Sequence, residues 1–212
     1  MLNWNAGTCC DKGEAAGVDD VGFMKAVLED IAKKMPIDKN RIFAAGLSSG
    51  GMLAYRLANE LSEEIAAVAI VGGSDCNQKV NPTLPVSILH FHGTDDTFVP
   101  YGGGKAERDF HNVNHLAVEK GLSRWVEALG CPPGPLTTTL PDTAMDGTRA
   151  IITRWKPGRV DSEVVLVKIE GAGHAWPGRS MPVLRDLLGR PTRQVDATEM
   201  MWEFFAKHSR SR

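Results

Sequence analysis

The pentapeptide Gly46-Leu47-Ser48-Ser49-Gly50 restricts this chain most, because of what flanks it. Before it, residues 41–47 (RIFAAGL) form a short, nearly unbroken apolar run. Such runs suit strands covered on both faces. After it, Leu53, Ala54, Leu57, Ala58 and Leu61 recur at helical spacing. A G-x-S-x-G at a strand-to-helix corner has the pattern of a nucleophile elbow. The turn is tight, side chains at the two glycine positions would collide with the neighbouring strand or helix, and the serine is held in strained backbone above the carboxyl edge of the sheet. The Ser49 N–H, at the start of the helix, is then the expected oxyanion donor. Without these flanks the five residues would read as a simple Ser/Gly loop.

The alternation continues along the chain. Asp19 or Asp20 is placed to cap a helix in which Val21, Met24, Val27, Leu28, Ile31 and Met35 make one buried stripe, and Pro36 ends it. Residues 66–71 (AAVAIV) and 86–91 (VSILHF) predict strands. A long helix is expected within 105–129, with Val118, Leu122, Trp125, Val126 and Leu129 as its apolar face and Gly130 as its stop. Residues 131–147 carry four prolines and read as a loop. Residues 149–155 and 163–169 predict two strands, paired antiparallel around Pro157-Gly158. Residues 171–190 read as a Gly- and Pro-rich loop. Asp196 and Glu199 form a capping box for a last helix that buries Met200 or Met201, Phe204 and Phe205. Strands alternating with amphipathic helices predict an α/β fold, a mostly parallel sheet flanked by helices, as one domain over residues 1–212.

Composition narrows the function. With 24 Lys and Arg against 26 Asp and Glu the net charge is −2, which argues against a nucleic-acid partner. No run approaches the length of a membrane span. Gly50-Gly51 lacks the Lys-Ser/Thr of a phosphate loop, and no G-x-G-x-x-G opens a helix, so no cofactor is expected. His111 and His115 are four apart but have no third ligand in view, so no metal is expected either. Residues 1–7 show no basic segment followed by an apolar core, so no signal peptide is read there and localisation stays open. Cys9, Cys10, Cys76 and Cys131 include no C-x-x-C pair. Adjacent cysteines rarely bond to each other, so a disulfide would join Cys9 or Cys10 to Cys76 or Cys131 if the chain is secreted.

A nucleophilic serine needs a base, and the base needs an orienting acid. Asp95 and Asp96 directly follow the strand VSILHF, and pattern alone does not choose between them. His174 follows the strand VVLVKIE in a loop rich in glycine. All these candidates leave the carboxyl ends of predicted parallel strands, where open α/β sheets bind ligands. The order Ser48, Asp96, His174 is that of α/β-hydrolases. His90 reads as packing, and His92 is placed to orient the Asp loop.

Taken together, these segments resemble the polyhydroxybutyrate depolymerase and feruloyl esterase family of secreted α/β-hydrolases, which includes acetylxylan-type esterases. The likeness rests on Trp4-Asn5-Ala6-Gly7-Thr8-Cys9-Cys10, on Val18-Asp19-Asp20-Val21-Gly22-Phe23, and on Gly46-Leu47-Ser48-Ser49-Gly50-Gly51-Met52. It extends to His92-Gly93-Thr94 with Asp96 and Val99-Pro100-Tyr101, and to Gly173-His174 with Trp176-Pro177-Gly178. It implies Ser48 as nucleophile, Asp96 as acid and His174 as base, since relatives place a small residue at the position of Asp95. It implies hydrolysis of a carboxylic ester through an acyl-enzyme, with short-chain, feruloyl or hydroxyalkanoate esters as substrates. Trp176 and Tyr101 are then expected at the substrate rim, and the early cysteines imply a disulfide inherited from secreted relatives. The family places its nucleophile deeper in the chain, after strands and a His-Gly loop that supplies the second oxyanion donor. No such loop precedes Ser48, so the chain reads as lacking the usual N-terminal strands. Two expectations follow. Residues 41–47 become an exposed sheet edge that recruits a strand, giving a homo-oligomer, or is covered by residues 1–18. One oxyanion donor is lost, which makes a non-catalytic or weakly active binding protein the alternative function.

Overall fold

The computed structural model describes residues 3–8, 17–108, 113–179 and 184–210. In chain order the elements are α1 (Asp20–Lys34), β1 (Phe43–Leu47), α2 (Ser49–Glu60), β2 (Ala67–Val71), β3 (Ser87–Gly93), β4 (Gly104–Lys105) and β5 (Asn114–His115). There follow α3 (Val118–Ala128), β6 (Leu136–Thr139), β7 (Arg149–Arg154), a 3-10 turn (Arg159–Asp161), β8 (Val164–Glu170), α4 (Arg185–Leu188) and α5 (Ala197–Ala206). Six strands make one sheet in the order β1-β2-β3-β8-β7-β6. The first four are parallel, and β7 and β6 return antiparallel. β4 and β5, two residues each, pair antiparallel in a separate two-stranded sheet.

Side chains alternate across a strand, so a run that is apolar throughout can serve two layers. Val68, Ile70, Ile88, Val164 and Leu166 face one way and join Leu53, Leu57, Leu122 and Trp125 of α2 and α3. Ala67, Ala69, Val71, Leu89, Phe91, Val165 and Val167 face the other way and join Met201, Phe204 and Phe205 of α5. Every residue of β2 and β3 is buried. Each fully buried Val, Leu, Ile, Phe or Met side chain in these layers stabilises the fold by about 1.5–3 kcal/mol. Asp196 caps α5, its Oδ1 accepting from the N–H groups of Thr198 and Glu199. Asp19 caps α1 in the same way through Gly22.

Several expectations are corrected. Residues 131–147 are not all loop: β6 lies there and pairs with β7. All four of its residues are exposed, so no apolar pattern marks it. The helix expected within 105–129 begins only at Val118, because residues 104–105 and 114–115 form the small two-stranded sheet. The stripe of α1 is only partly buried. Val21 is covered, and Met24 and Leu28 pack on the core, but Ile31 and Met35 are 37% and 56% exposed. Residues 171–190 include α4. Met201, rather than Met200, is the buried methionine of α5.

Strand β1 is not covered on both faces. It is half-buried, with Ala45 exposed, and among the described residues it pairs with β2 alone. Residues 3–8 pack elsewhere: Ala6 is fully buried, Thr8 N–H and Oγ1 both donate to the Cys76 carbonyl, and Arg56 donates to the Asn5 carbonyl. Cys76 and Cys131 are free thiols. Cys9, Cys10 and His111 lie outside the described residues, and so does the disulfide expected of Cys9 or Cys10. No helix among the described residues is long and apolar enough to cross a membrane.

Candidate active site

Ser48 sits at the corner between β1 and α2 with φ 57° and ψ −124°. A serine at positive φ is rare, and such strain persists only where the surroundings impose it. Here the Ser48 N–H donates to the Val71 carbonyl at 2.9 Å, and its own carbonyl accepts from the Met52 N–H at 3.0 Å. A Cβ on Gly46 would stand 2.2 Å from the Gly50 carbonyl carbon, so the corner closes only with glycine there. The second glycine expected to be under this constraint, Gly50, is in fact open, its nearest outside atom being 4.0 Å away. The constrained one is Gly51, where a Cβ would lie 2.9 Å from both the Gly46 carbonyl oxygen and Ile70 Cγ2. Ser49 is the first residue of α2, so its N–H has no acceptor within the helix and lies at the positive end of the helix dipole.

The structure separates the two aspartates. Asp95 is exposed and accepts from the Thr94 hydroxyl at 2.9 Å. Asp96 is buried, its Oδ1 accepting from the N–H groups of Phe98 and Val99 at 2.9 and 2.8 Å. Asp96 Oδ2 lies 2.7 Å from His174 Nδ1. A carboxylate only accepts, so His174 carries a proton on Nδ1, and in that tautomer Nε2 is the accepting nitrogen. His174 is itself buried, with Phe98 tilted against its ring at 5.1 Å between centroids. Its loop is held from behind, the Gly173 and His174 N–H groups donating to the carbonyls of Arg190 and Leu188.

Gly72 and Gly73 join this pair to the elbow. A Cβ on Gly72, at φ +53°, would lie 3.1 Å from His174 Nδ1 and 3.2 Å from Asp96 Oδ2. A Cβ on Gly73 would lie 3.0 Å from the Ser48 carbonyl oxygen. The end of β2 thus touches the serine corner on one side and the Asp96–His174 pair on the other. Its glycines leave the approach open. The Gly72-Gly73 doublet closing a strand was visible in the sequence, but its role between the two halves was not.

His92 is fully buried with its Nε2 2.8 Å from the Val99 carbonyl and 3.5 Å from Asp96 Oδ2, in keeping with its expected place behind the Asp loop. Burial holds its pKa below the usual histidine value. The two expected rim aromatics are tied into the scaffold. Trp176 is half-buried against the α5 layer and donates through Nε1 to Thr198 Oγ1 at 3.1 Å. Tyr101 rests edge-on against His92 and donates to Glu119 at 2.7 Å, with Lys168 Nζ 5.3 Å from its ring centre. These contacts fix how both aromatics are held. His115 lies 3.0 Å from Ser74 Oγ through Nδ1.

The chain is similar to known esterases. The family described as Phospholipase/Carboxylesterase matches residues 15–123. Feruloyl esterase B of Piromyces equi is 31% identical over 182 residues, covering 81% of this chain and 31% of that protein. Feruloyl esterase D of Neurospora crassa is 27% identical over 203 residues, covering 96% and 59%. Among solved structures, the acetyl xylan esterase from Aspergillus awamori superposes with a TM-score of 0.52 at 16% identity, over 96% of this chain and 72% of that one, a likeness of fold. The chain spans less than two thirds of the length of these two feruloyl esterases.

Proposed function

The chain belongs to the phospholipase/carboxylesterase family, and from that premise we propose that it hydrolyses carboxylic esters through a serine acyl-enzyme. One observation carries the reading: a serine held at φ 57° on a strand–helix corner, with a buried carboxylate–imidazole pair at 2.7 Å across Gly72-Gly73. His174 Nε2 takes the proton of Ser48 Oγ as the oxygen attacks the ester carbonyl. Asp96 holds the ring in the tautomer that leaves Nε2 free and stabilises the imidazolium that forms. The Ser49 N–H donates to the tetrahedral oxyanion. His174 then protonates the departing alcohol, and in the second half it activates water to release the acid. Short-chain aryl and feruloyl esters are the proposed substrates. The feruloyl choice is supported by the names of the Piromyces and Neurospora relatives, and hydroxyalkanoate esters share the same bond. Trp176 and Tyr101, each only partly buried, are proposed to bound the substrate approach.

The test is a fluorophosphonate, which traps only an activated serine. Mass spectrometry should find one adduct on Ser48, formed far more slowly in His174→Ala. An unlabelled Ser48, or a labelling rate indifferent to His174, would favour a non-catalytic protein that keeps the elbow as a fold element.

A further inference from the structure

A file of buried polar rings runs from the core to the back of Asp96. Tyr55 Oη lies 2.8 Å from His90 Nδ1, and His90 Nε2 lies 2.9 Å from His92 Nδ1. His92 Nε2 lies 2.8 Å from the Val99 carbonyl, with Asp96 Oδ2 at 3.5 Å. Tyr55, His90 and His92 are each 1% exposed. The two imidazoles stack almost in parallel, with centroids 5.2 Å apart. Burying two imidazoles and a phenol is costly compared with apolar side chains of similar size, unless every polar atom is paired. Here each one is.

Proton positions follow from the acceptor at the end of the file. A carbonyl only accepts, so His92 carries its proton on Nε2. Burial lowers the pKa of both rings, helped at His90 by His92 and at His92 by His174 and His115, and at His92 it outweighs the raising pull of Asp96 and the Val99 carbonyl; each neutral ring then has a single N–H. His92 Nδ1 therefore accepts from His90 Nε2–H, and His90 Nδ1 accepts from the Tyr55 hydroxyl. All three donors point toward the Asp96 turn. Val99 links that turn to the file: its N–H donates to Asp96 Oδ1, beside that of Phe98, while its carbonyl receives His92. Tyr55 stands on α2, the helix that opens at Ser49, so the file ties the nucleophile's helix to the acid's turn.

We infer that His92 is a positioning residue for the Asp96–His174 pair, held in its Nε2–H form by His90 and Tyr55; its effect on turnover rests on the serine-esterase reading above. Losing His92 frees the Val99 carbonyl and lets the Asp96 carboxylate rotate away from His174 Nδ1. Ground-state binding of an ester does not involve that turn, so kcat should fall and KM should not.

The experiment compares wild type, His92→Leu and His92→Gln, whose amide can place a donor near the lost Nε2. Aryl ester kinetics are read beside nitrogen and proton NMR of histidine-labelled protein. In the wild type, His90 and His92 should both be neutral Nε2–H rings, and the far-downfield proton of His174 Nδ1 should be visible. His92→Leu should lower kcat about tenfold, as expected for one hydrogen bond to a charged-site turn, with KM unchanged and the His174 proton shifted. His92→Gln should recover most of both. Nδ1–H forms at His90 and His92, or a folded His92→Leu with unchanged kcat, would overturn the inference. If the wild type turns over no ester, the esterase reading fails and the His174 proton alone decides: moved by Leu and restored by Gln, the positioning role stands; unmoved, it falls. If His92→Leu does not fold, Tyr55→Phe takes its place. A reduced kcat at constant KM there supports the file, and an unchanged kcat overturns it.

Discussion

Replacing Gly93 with alanine should cost far more activity than stability. Gly93 closes β3 just before the Asp96 loop, and Ala172-Gly173 lead into His174. A Cβ on Gly93 would lie 2.2 Å from the Ala172 carbonyl oxygen, 2.6 Å from its carbon and 2.7 Å from the Gly173 oxygen, where ordinary contact begins near 3.4 Å. All three are backbone atoms, so no side chain can swing aside, and the two loops must part by about 1 Å. The bonds they share include the Asp95 N–H to the Ala172 carbonyl at 2.9 Å, the Gly171 N–H to Thr94 Oγ1 at 2.9 Å and Asp96 Oδ2 to His174 Nδ1 at 2.7 Å. Overpacking of this kind costs about 1–3 kcal/mol, a fraction of the about 5–15 kcal/mol of a typical domain. A misplacement of about 1 Å within a catalytic pair costs about 100-fold in rate. The assay is kcat for a short-chain aryl ester beside thermal melting. Gly102→Ala serves as the control, since nothing lies within 4 Å of a Cβ there. The expected result is a kcat about 100-fold down in a protein that still melts cooperatively, with Gly102→Ala like wild type. A Gly93→Ala protein with wild-type kcat, or one whose loss matches its unfolded fraction, would refute the reasoning.

Other expectations follow from the same geometry. Asp96→Asn offers His174 Nδ1 an amide in place of a carboxylate and should lower kcat by about 10⁴-fold while the fold persists; a loss under tenfold would contradict the pairing. Burial holds the pKa values of His90 and His92 below the ordinary 6.5. Both rings are then neutral in either state at higher pH, but below about pH 6.5 the unfolded chain binds protons that the folded one refuses. Stability should therefore fall with pH there by about 1.4 kcal/mol per unit for each histidine, and urea melts at constant stability from pH 7.5 to 5.5 would contradict this. The edge of β1, unpaired among the described residues, is expected to self-associate. Light scattering should give more than one chain mass, reduced toward one by Ala45→Lys, and a monomer at high concentration would count against it.

The elbow was legible because its signals are local: a strand run, a small-residue corner and a helical stripe within about twenty residues. His174 and the Asp95-Asp96 pair were legible because parallel strands deliver their loops to one edge. Choosing Asp96 needed either a family resemblance or the structure, since both aspartates end the same strand and only the fold shows which is buried. Strand β6 was not legible. Exposed on every residue, it has no alternation, and it is held by ladder bonds to β7 and a Thr137–Thr153 hydroxyl contact that composition does not announce. The file behind Asp96 was half legible. The spacing of His90 and His92 puts both rings on one face of β3, but Tyr55 joins them from 35 residues away, across the packing of α2 on the sheet.

The most direct test of the account is the steady-state hydrolysis of p-nitrophenyl acetate by this chain beside its Ser48→Ala variant. The account predicts saturable turnover by the wild type and only background in the variant, with both proteins melting alike. Equal rates in the two proteins, at background or above it, would contradict the assignment of Ser48 as the nucleophile.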